Sequence, residues 1–168
     1  IIIRGTRVDL SVITDENLQF TTDRLTLRLM NESNWPDFKN IQSDTELMKY
    51  IGPILPLEEL KAKFVDRIRK FNKEEKHWLT LAIYCKESNE FIGSVGFQID
   101  SINDQRAEIG YLALPQYSGK GFITEASQVL NQFLFDKIKI RKIVAHCTTE
   151  NTASWKVMER LGLLREGE

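Results

Sequence analysis

The chain of 168 residues carries 23 basic and 24 acidic side chains, for a formal net charge of -1. That length suits one domain with a sizeable core, and the charge balance offers no overall field for nucleic acid or for an anionic membrane surface. Two cysteines, Cys85 and Cys147, in apolar strand contexts read as reduced buried thiols, and with His77 and His146 they form no close Cys/His pairing, so no metal site is expected.

Ile1-Ile2-Ile3 is followed at once by Arg4, so neither a signal peptide nor a membrane span is expected, and cytoplasmic residence follows by default. Arg7-Val8-Asp9-Leu10-Ser11-Val12 looks like Arg24-Leu25-Thr26-Leu27-Arg28-Leu29. Residues 1–21 therefore read as an N-terminal arm or an extra strand, ahead of a main domain over 22–168. Within that domain, Leu25, Leu27 and Leu29 alternate with Thr26 and Arg28 in a strand over 24–30. A short helix over 35–41 takes Asn34 or Ser33 as N-cap, with Pro36 in its first turn. Pro53 and Pro56 mark a loop, and Leu57, Leu60, Phe64, Ile68 and Phe71 then give an amphipathic helix. A hairpin follows, with strands over 78–85 and 91–99 joined by Lys86-Glu87-Ser88-Asn89-Glu90.

A polar turn over 100–105 leads to a strand over 107–114, which Pro115 ends because it cannot donate to a ladder. Phe122, Ala126, Val129, Leu130, Phe133 and Leu134 then recur at helical spacing over 122–137. A further strand spans 142–148, and Asn151 caps a short helix that stops at Gly162. Leu163-Leu164 begins a final strand without an antiparallel partner, so the domain reads as clipped, or as completed by another chain in a possible homodimer. The order of elements implies an α/β domain with a mixed sheet, in which the strands flanking the 122–137 helix are parallel.

The stretch Gln116-Tyr117-Ser118-Gly119-Lys120-Gly121-Phe122 joins strand to helix. Two glycines at a helix start let backbone N–H groups crowd around an anion. No Gly-Lys-Ser/Thr follows at nucleotide-loop spacing, and no third glycine completes a dinucleotide fingerprint. The residues thus leave open which anion is held.

Three ordered blocks then resemble the GCN5-related N-acetyltransferase (GNAT) superfamily, closest to its ribosomal-protein-serine/alanine branch. They are Ala107-Glu108-Ile109-Gly110-Tyr111, the glycine loop with Thr124-Glu125-Ala126, and Glu150-Asn151-Thr152-Ala153-Ser154 running to Glu159-Arg160-Leu161-Gly162-Leu163. The resemblance runs from about Thr22 to the C-terminus. It implies a mostly antiparallel sheet whose parallel strands splay at the cofactor, with acetyl-CoA as co-substrate and an amine acceptor, a peptide N-terminus or a small molecule. It further implies that Gln116, Tyr117, Ser118, Gly119, Lys120, Gly121 and Phe122 hold the coenzyme A pyrophosphate. The backbone of Leu112, Ala113 and Leu114 would pair with pantetheine, an N–H near Leu112 would serve the oxyanion, and Asn151 would contact the cofactor.

Catalysis falls to two side chains. Glu108 reads as a proton relay for the amine or as an ordinary strand carboxylate. Many members carry a tyrosine acid four residues before the glycine ending the last helix, but Met158 stands there. The ribosomal-protein branch instead has a serine where this chain has Ser154, which reads as a proton donor to the sulfur or as N-terminal helix chemistry. His146, on a strand near the cleft, reads as a packed or half-exposed strand histidine with a catalytic role as the alternative, and Trp35 as a candidate for the acceptor pocket. The competing readings are a non-catalytic acyl-CoA-binding module and a phosphate-binding module for another nucleotide. Near-neutral net charge selects neither a polycationic nor an acidic acceptor.

Overall fold

The computed structural model describes residues 7–167. Its sheet runs in sequence order through β1 (Gln19–Thr21), β2 (Leu25–Leu29), β3 (Leu79–Cys85), β4 (Phe91–Ser101), β5 (Arg106–Ala113) and β6 (Lys142–Val144). Neighbours pair antiparallel except β5 and β6, which are parallel as the crossover helix between them requires. The helices are α1 (Trp35–Gln42), α2 (Thr45–Met48), α3 (Leu57–Ile68), α4 (Phe122–Phe133) and α5 (Thr152–Arg160). No helix among the described residues is long and apolar enough to cross a membrane.

Helices cover both faces of the sheet, so β3 is apolar almost throughout rather than alternating with polar residues. Leu79, Leu81 and Ile83 pack with Val95, Phe97 and Ile109 against Ile123, Ala126 and Leu130 of α4. The opposite-facing Ala82 and Tyr84 join Phe38 and Ile41 of α1 and Leu60 and Phe64 of α3. Buried Asn34 ties this second layer together, donating from Nδ2 to the Tyr84 hydroxyl at 2.5 Å.

The departures from the sequence reading are local. β1 is a three-residue strand, too short to show alternation, and it pairs with β2 across a turn at Thr22. The four-residue α2 is held by Asp44, whose carboxylate accepts from the N–H groups of Glu46 and Leu47 at 3.0 Å. Residues 7–12 contain no strand: Leu10–Val12 is a 3-10 turn, and the Asp9 N–H donates to the Ile138 carbonyl at 2.8 Å. Residues 1–6 of that segment lie outside the described residues. Residues 163–167 also form no strand. At the end of α5, the Gly162 and Leu163 N–H groups turn back to the Glu159 and Met158 carbonyls, with Gly162 left-handed at φ +79°.

β6 stops at Val144 rather than at residue 148. Its ladder with β5 covers only Arg106 to Glu108, whereas β5 runs on beside β4 to Ala113. The two parallel strands therefore part after Glu108. Gly93 lets β4 and β5 cross closely beyond that point, since a Cβ there would lie 2.1 Å from the Leu112 carbonyl oxygen. Gly93→Ala is expected to destabilise the fold by about 1–3 kcal/mol, as overpacking against backbone does. Urea unfolding checks this, and an unshifted midpoint would show that β4 and β5 can separate freely there.

Candidate active site

A cleft of about 750 Å³ opens where β5 and β6 part. One end is the loop into α4. Gly119 and Gly121 sit at φ +74° and +79°, the left-handed region that glycine adopts without cost. Gly121 is the N-cap of α4 and supplies no capping side chain, so first-turn amides face outward with the positive end of the helix dipole. Thr124 Oγ1, also in the cleft wall, is buried without a hydrogen-bond partner among the described residues. A loop, an uncapped helix start and an orphan hydroxyl of this kind fit a phosphate-bearing ligand.

Arg24 clamps this loop. Its Nε donates to Glu125 Oε2 at 2.7 Å, and Nη1 donates to the Lys120 carbonyl at 3.0 Å. The guanidinium lies 4.4 Å from the centre of the Phe122 ring. Glu125 Oε1 also accepts from the Thr22 hydroxyl at 2.6 Å and the Arg24 N–H at 3.0 Å. Burial pushes the Glu125 carboxyl up, but the hydrogen bonds from Thr22 and Arg24 outweigh it and hold the group below its ordinary value.

Glu108 sits where β5 and β6 part. Its Oε2 accepts from Gln98 Nε2 at 2.8 Å, and His146 Nδ1 lies 3.0 Å from Oε1 across the gap. His146 is largely exposed and Glu108 largely covered, so the pair joins the site to solvent. Glu108, Gly110 and Leu112 share the sheet face covered by α1 and α3, while Tyr111 turns to the α4 and α5 side. The Tyr111 hydroxyl donates to the Ser154 carbonyl at 3.0 Å and lies 3.2 Å from Ser154 Oγ. Burial pushes the Tyr111 phenol up to about 12, so it keeps its proton at neutral pH. Asn151 Oδ1 accepts from the Ser154 N–H at 3.1 Å and fixes the first turn of α5.

Glu108, Leu112, Ala113, Tyr117, Ser118, Gly119, Gly121, Phe122, Asn151 and Ser154 all line the cleft. Lys120 lines a shallow adjoining recess with Arg24, Glu125 and Arg160. Leu114 and Gln116 are not brought to the cleft: Leu114 is buried beside Phe38 and Phe64, and Gln116 is exposed on a short 3-10 turn. The Leu114 N–H donates to the Ile92 carbonyl at 2.9 Å. Two-residue alternation then turns the Leu112 amide toward β4 as well, which leaves Tyr111 and Ala113 facing the gap. Trp35 packs in the core 5.4 Å from Phe64 and is outside the cleft, whereas Trp78 is in its wall against Gly110. Sequence reading placed His146 near the cleft but missed its contact with Glu108, and it overlooked the Tyr111 tether and the Arg24 clamp. Only the position of Tyr111, one residue past Gly110 in the first block, offered a signal.

The acetyltransferase (GNAT) domain family matches residues 24–164. An uncharacterised N-acetyltransferase p20 of Bacillus licheniformis is 34% identical over 148 residues, covering 87% of this chain and 82% of its own. The ribosomal-protein-serine acetyltransferase of Escherichia coli is 27% identical over 140 residues, covering 83% and 67%. A GNAT-family acetyltransferase structure from Bacillus anthracis superposes with a TM-score of 0.74 at 30% identity, covering 89% and 85%. The chain belongs to the GNAT family and is an N-acetyltransferase.

The clamp carries a pH signature. A carboxyl whose folded value is depressed contributes stability above its unfolded value, near about pH 4.3, and loses it as pH falls through the folded one. Glu125→Gln is therefore expected to lower stability at pH 7 and to flatten the acid limb of the stability curve. Urea unfolding from about pH 7 down to 3 reads both effects, and an acid limb identical to the parent's would remove the clamp from the account.

Proposed function

We propose that the chain moves the acetyl group of acetyl-CoA to a primary amine by direct attack in a ternary complex. The observation that carries this reading is the parting of β5 and β6, with a carboxylate on one side of the gap and a paired hydroxyl on the other. The pyrophosphate would rest on the amides of residues 119–122, since the Tyr117 and Ser118 N–H groups donate to the Leu114 and Pro115 carbonyls, with Thr124 Oγ1 as a further donor. Pantetheine would run along the gap beside the open backbone groups of Tyr111 and Ala113, and Asn151 would line its far wall. Acetyl-CoA supplies an activated acyl carbon and a thiolate leaving group with a pKa near about 8.5.

The acceptor approaches over the Glu108 face. Glu108 takes the proton that the amine loses as its nitrogen bonds to the acyl carbon, directly or through water, and His146 passes it to solvent. An open N–H of Tyr111 or Ala113 donates to the oxyanion. When the carbon–sulfur bond breaks, the Ser154 hydroxyl donates toward the sulfur. Tyr111, protonated throughout, holds Ser154 in place. The balance is amine plus thioester giving amide plus free thiol.

The acceptor classes are a peptide N-terminus or a small-molecule amine, and the Escherichia coli relative is named for a protein acceptor, a ribosomal-protein serine. The reduced thiols Cys85 and Cys147 suit a cytoplasmic setting. Glu108→Gln is expected to lower kcat by about a hundredfold with coenzyme A affinity unaltered. Ser154→Ala should cost about tenfold, with Tyr111→Phe less severe than either. Thiol release across an amine and peptide panel measures the first quantity and calorimetry the second. Coenzyme A binding without thiol release from any acceptor would instead fit a non-catalytic acyl-CoA-binding module.

A further inference from the structure

The wall of the cleft opposite Glu108 is built by α3 and carries two cations that no part of the transfer chemistry uses. Lys63 and Arg67 lie one turn apart and flank the buried Phe64, so both stand toward the sheet rather than toward solvent. Both are half-buried. Lys63 Nζ donates to the neutral Gln42 side chain at 2.8 Å. The Arg67 guanidinium lies 5.1 Å from the centre of the Trp78 ring, whose edge rests against Gly110. Among the described residues no ion pair reaches either one.

Like charges at this helical spacing repel, and half-burial removes much of the water that would screen them. The burden shows on both groups. Burial lowers the Lys63 ammonium from its ordinary value and Arg67 lowers it further; burial also lowers the Arg67 guanidinium, with Asp66 opposing. A helix that merely packed would place such residues outward, as α3 does with Glu59, Lys61 and Asp66. The floor between these cations and Glu108 is made of small residues, Thr80, Gly96 and Gly110, so a ligand can lie flat from one to the other. The carboxylates of the cleft lie elsewhere: Glu108 is engaged by Gln98 and His146, and Glu46 is exposed on α2.

We propose that the acceptor amine carries an anionic group, a carboxylate or a phosphate, which Lys63 and Arg67 receive while its nitrogen lies at Glu108. This rests on the transfer reading above and gives it a substrate class. Arg67 offers a planar fork for two oxygens, and Trp78 fixes the plane of that fork. Polyamines are excluded from the same face by repulsion.

The test uses the full chain with matched acceptors: phosphoethanolamine against ethanolamine, β-alanine against its amide, and spermidine. Thiol release is expected to give kcat/KM at least about tenfold higher for each anionic member, the size of one charge-assisted contact. The phosphate and carboxylate pairs show which anion is preferred. Lys63→Met and Arg67→Met should lower that ratio toward one through KM, and Lys63→Glu should turn preference toward spermidine. Calorimetry of phosphoethanolamine into the coenzyme A complex reads anion binding without turnover. Selective anion binding with no thiol release would overturn the transfer reading and leave the anion site standing. Equal or better use of ethanolamine or spermidine by the parent protein would overturn the anion site alone, whatever the variants do.

Discussion

The parallel ladder between β5 and β6 ends at Glu108 and Val144, and that ending sets the position of every group in the cleft. Had β6 continued beside β5, its backbone would have satisfied the Tyr111 and Ala113 amides. Because β6 stops, those groups face a gap wide enough for a chain-like ligand. Glu108 becomes the last paired residue on one side of the gap. The segment after β6 is free to carry His146 across and to lead into α5. One break in a hydrogen-bond ladder thus makes a binding groove and places a carboxylate at its base.

Two contacts that bridge distant elements keep the walls of that groove in register. Arg24, at the start of β2, holds the Lys120 carbonyl and the Glu125 carboxylate, so the glycine loop is tied to the far side of the sheet from its own strand. Tyr111 performs the corresponding task for α5 through the Ser154 backbone and side chain. Each contact satisfies polar groups that would be costly to leave unpaired at a partly buried position. The glycine-loop end and the Ser154 end of the cleft are therefore positioned separately, one by an ion pair and one by a half-buried phenol.

The sequence reading reached the strand–loop–helix unit because its signals are local. Alternation in residues 107–113, Pro115, the two glycines and the stripe of α4 follow one another in a single unbroken stretch of chain. Asn151 and Ser154 were legible for the same reason, since an N-cap and its first turn are three residues apart. Helix and strand ends were less so, because they depend on neighbours: α3 closes at Ile68, before Phe71, and β6 loses its partner at Val144. Leu114 and Gln116 were assigned to the cofactor by their place in a motif. Only the Leu114–Ile92 hydrogen bond and the 3-10 turn show that they lie aside.

By itself the sequence determined the α/β class and the glycine loop, which follow from period and turn chemistry, while the family and the two catalytic candidates came from the resemblance of three ordered blocks to known acetyltransferases. Tertiary structure alone decided what those residues meet. His146 and Glu108 are 38 residues apart in sequence, Tyr111 and Ser154 are 43, and Arg24 and Glu125 are 101. No local pattern encodes such pairs, since each depends on the twist and order of the whole sheet. The charge of the cleft wall formed by α3 is the sharpest case. A net charge of -1 averages Lys63 and Arg67 away, and only the packing of α3 against β3 turns both cations toward the cleft.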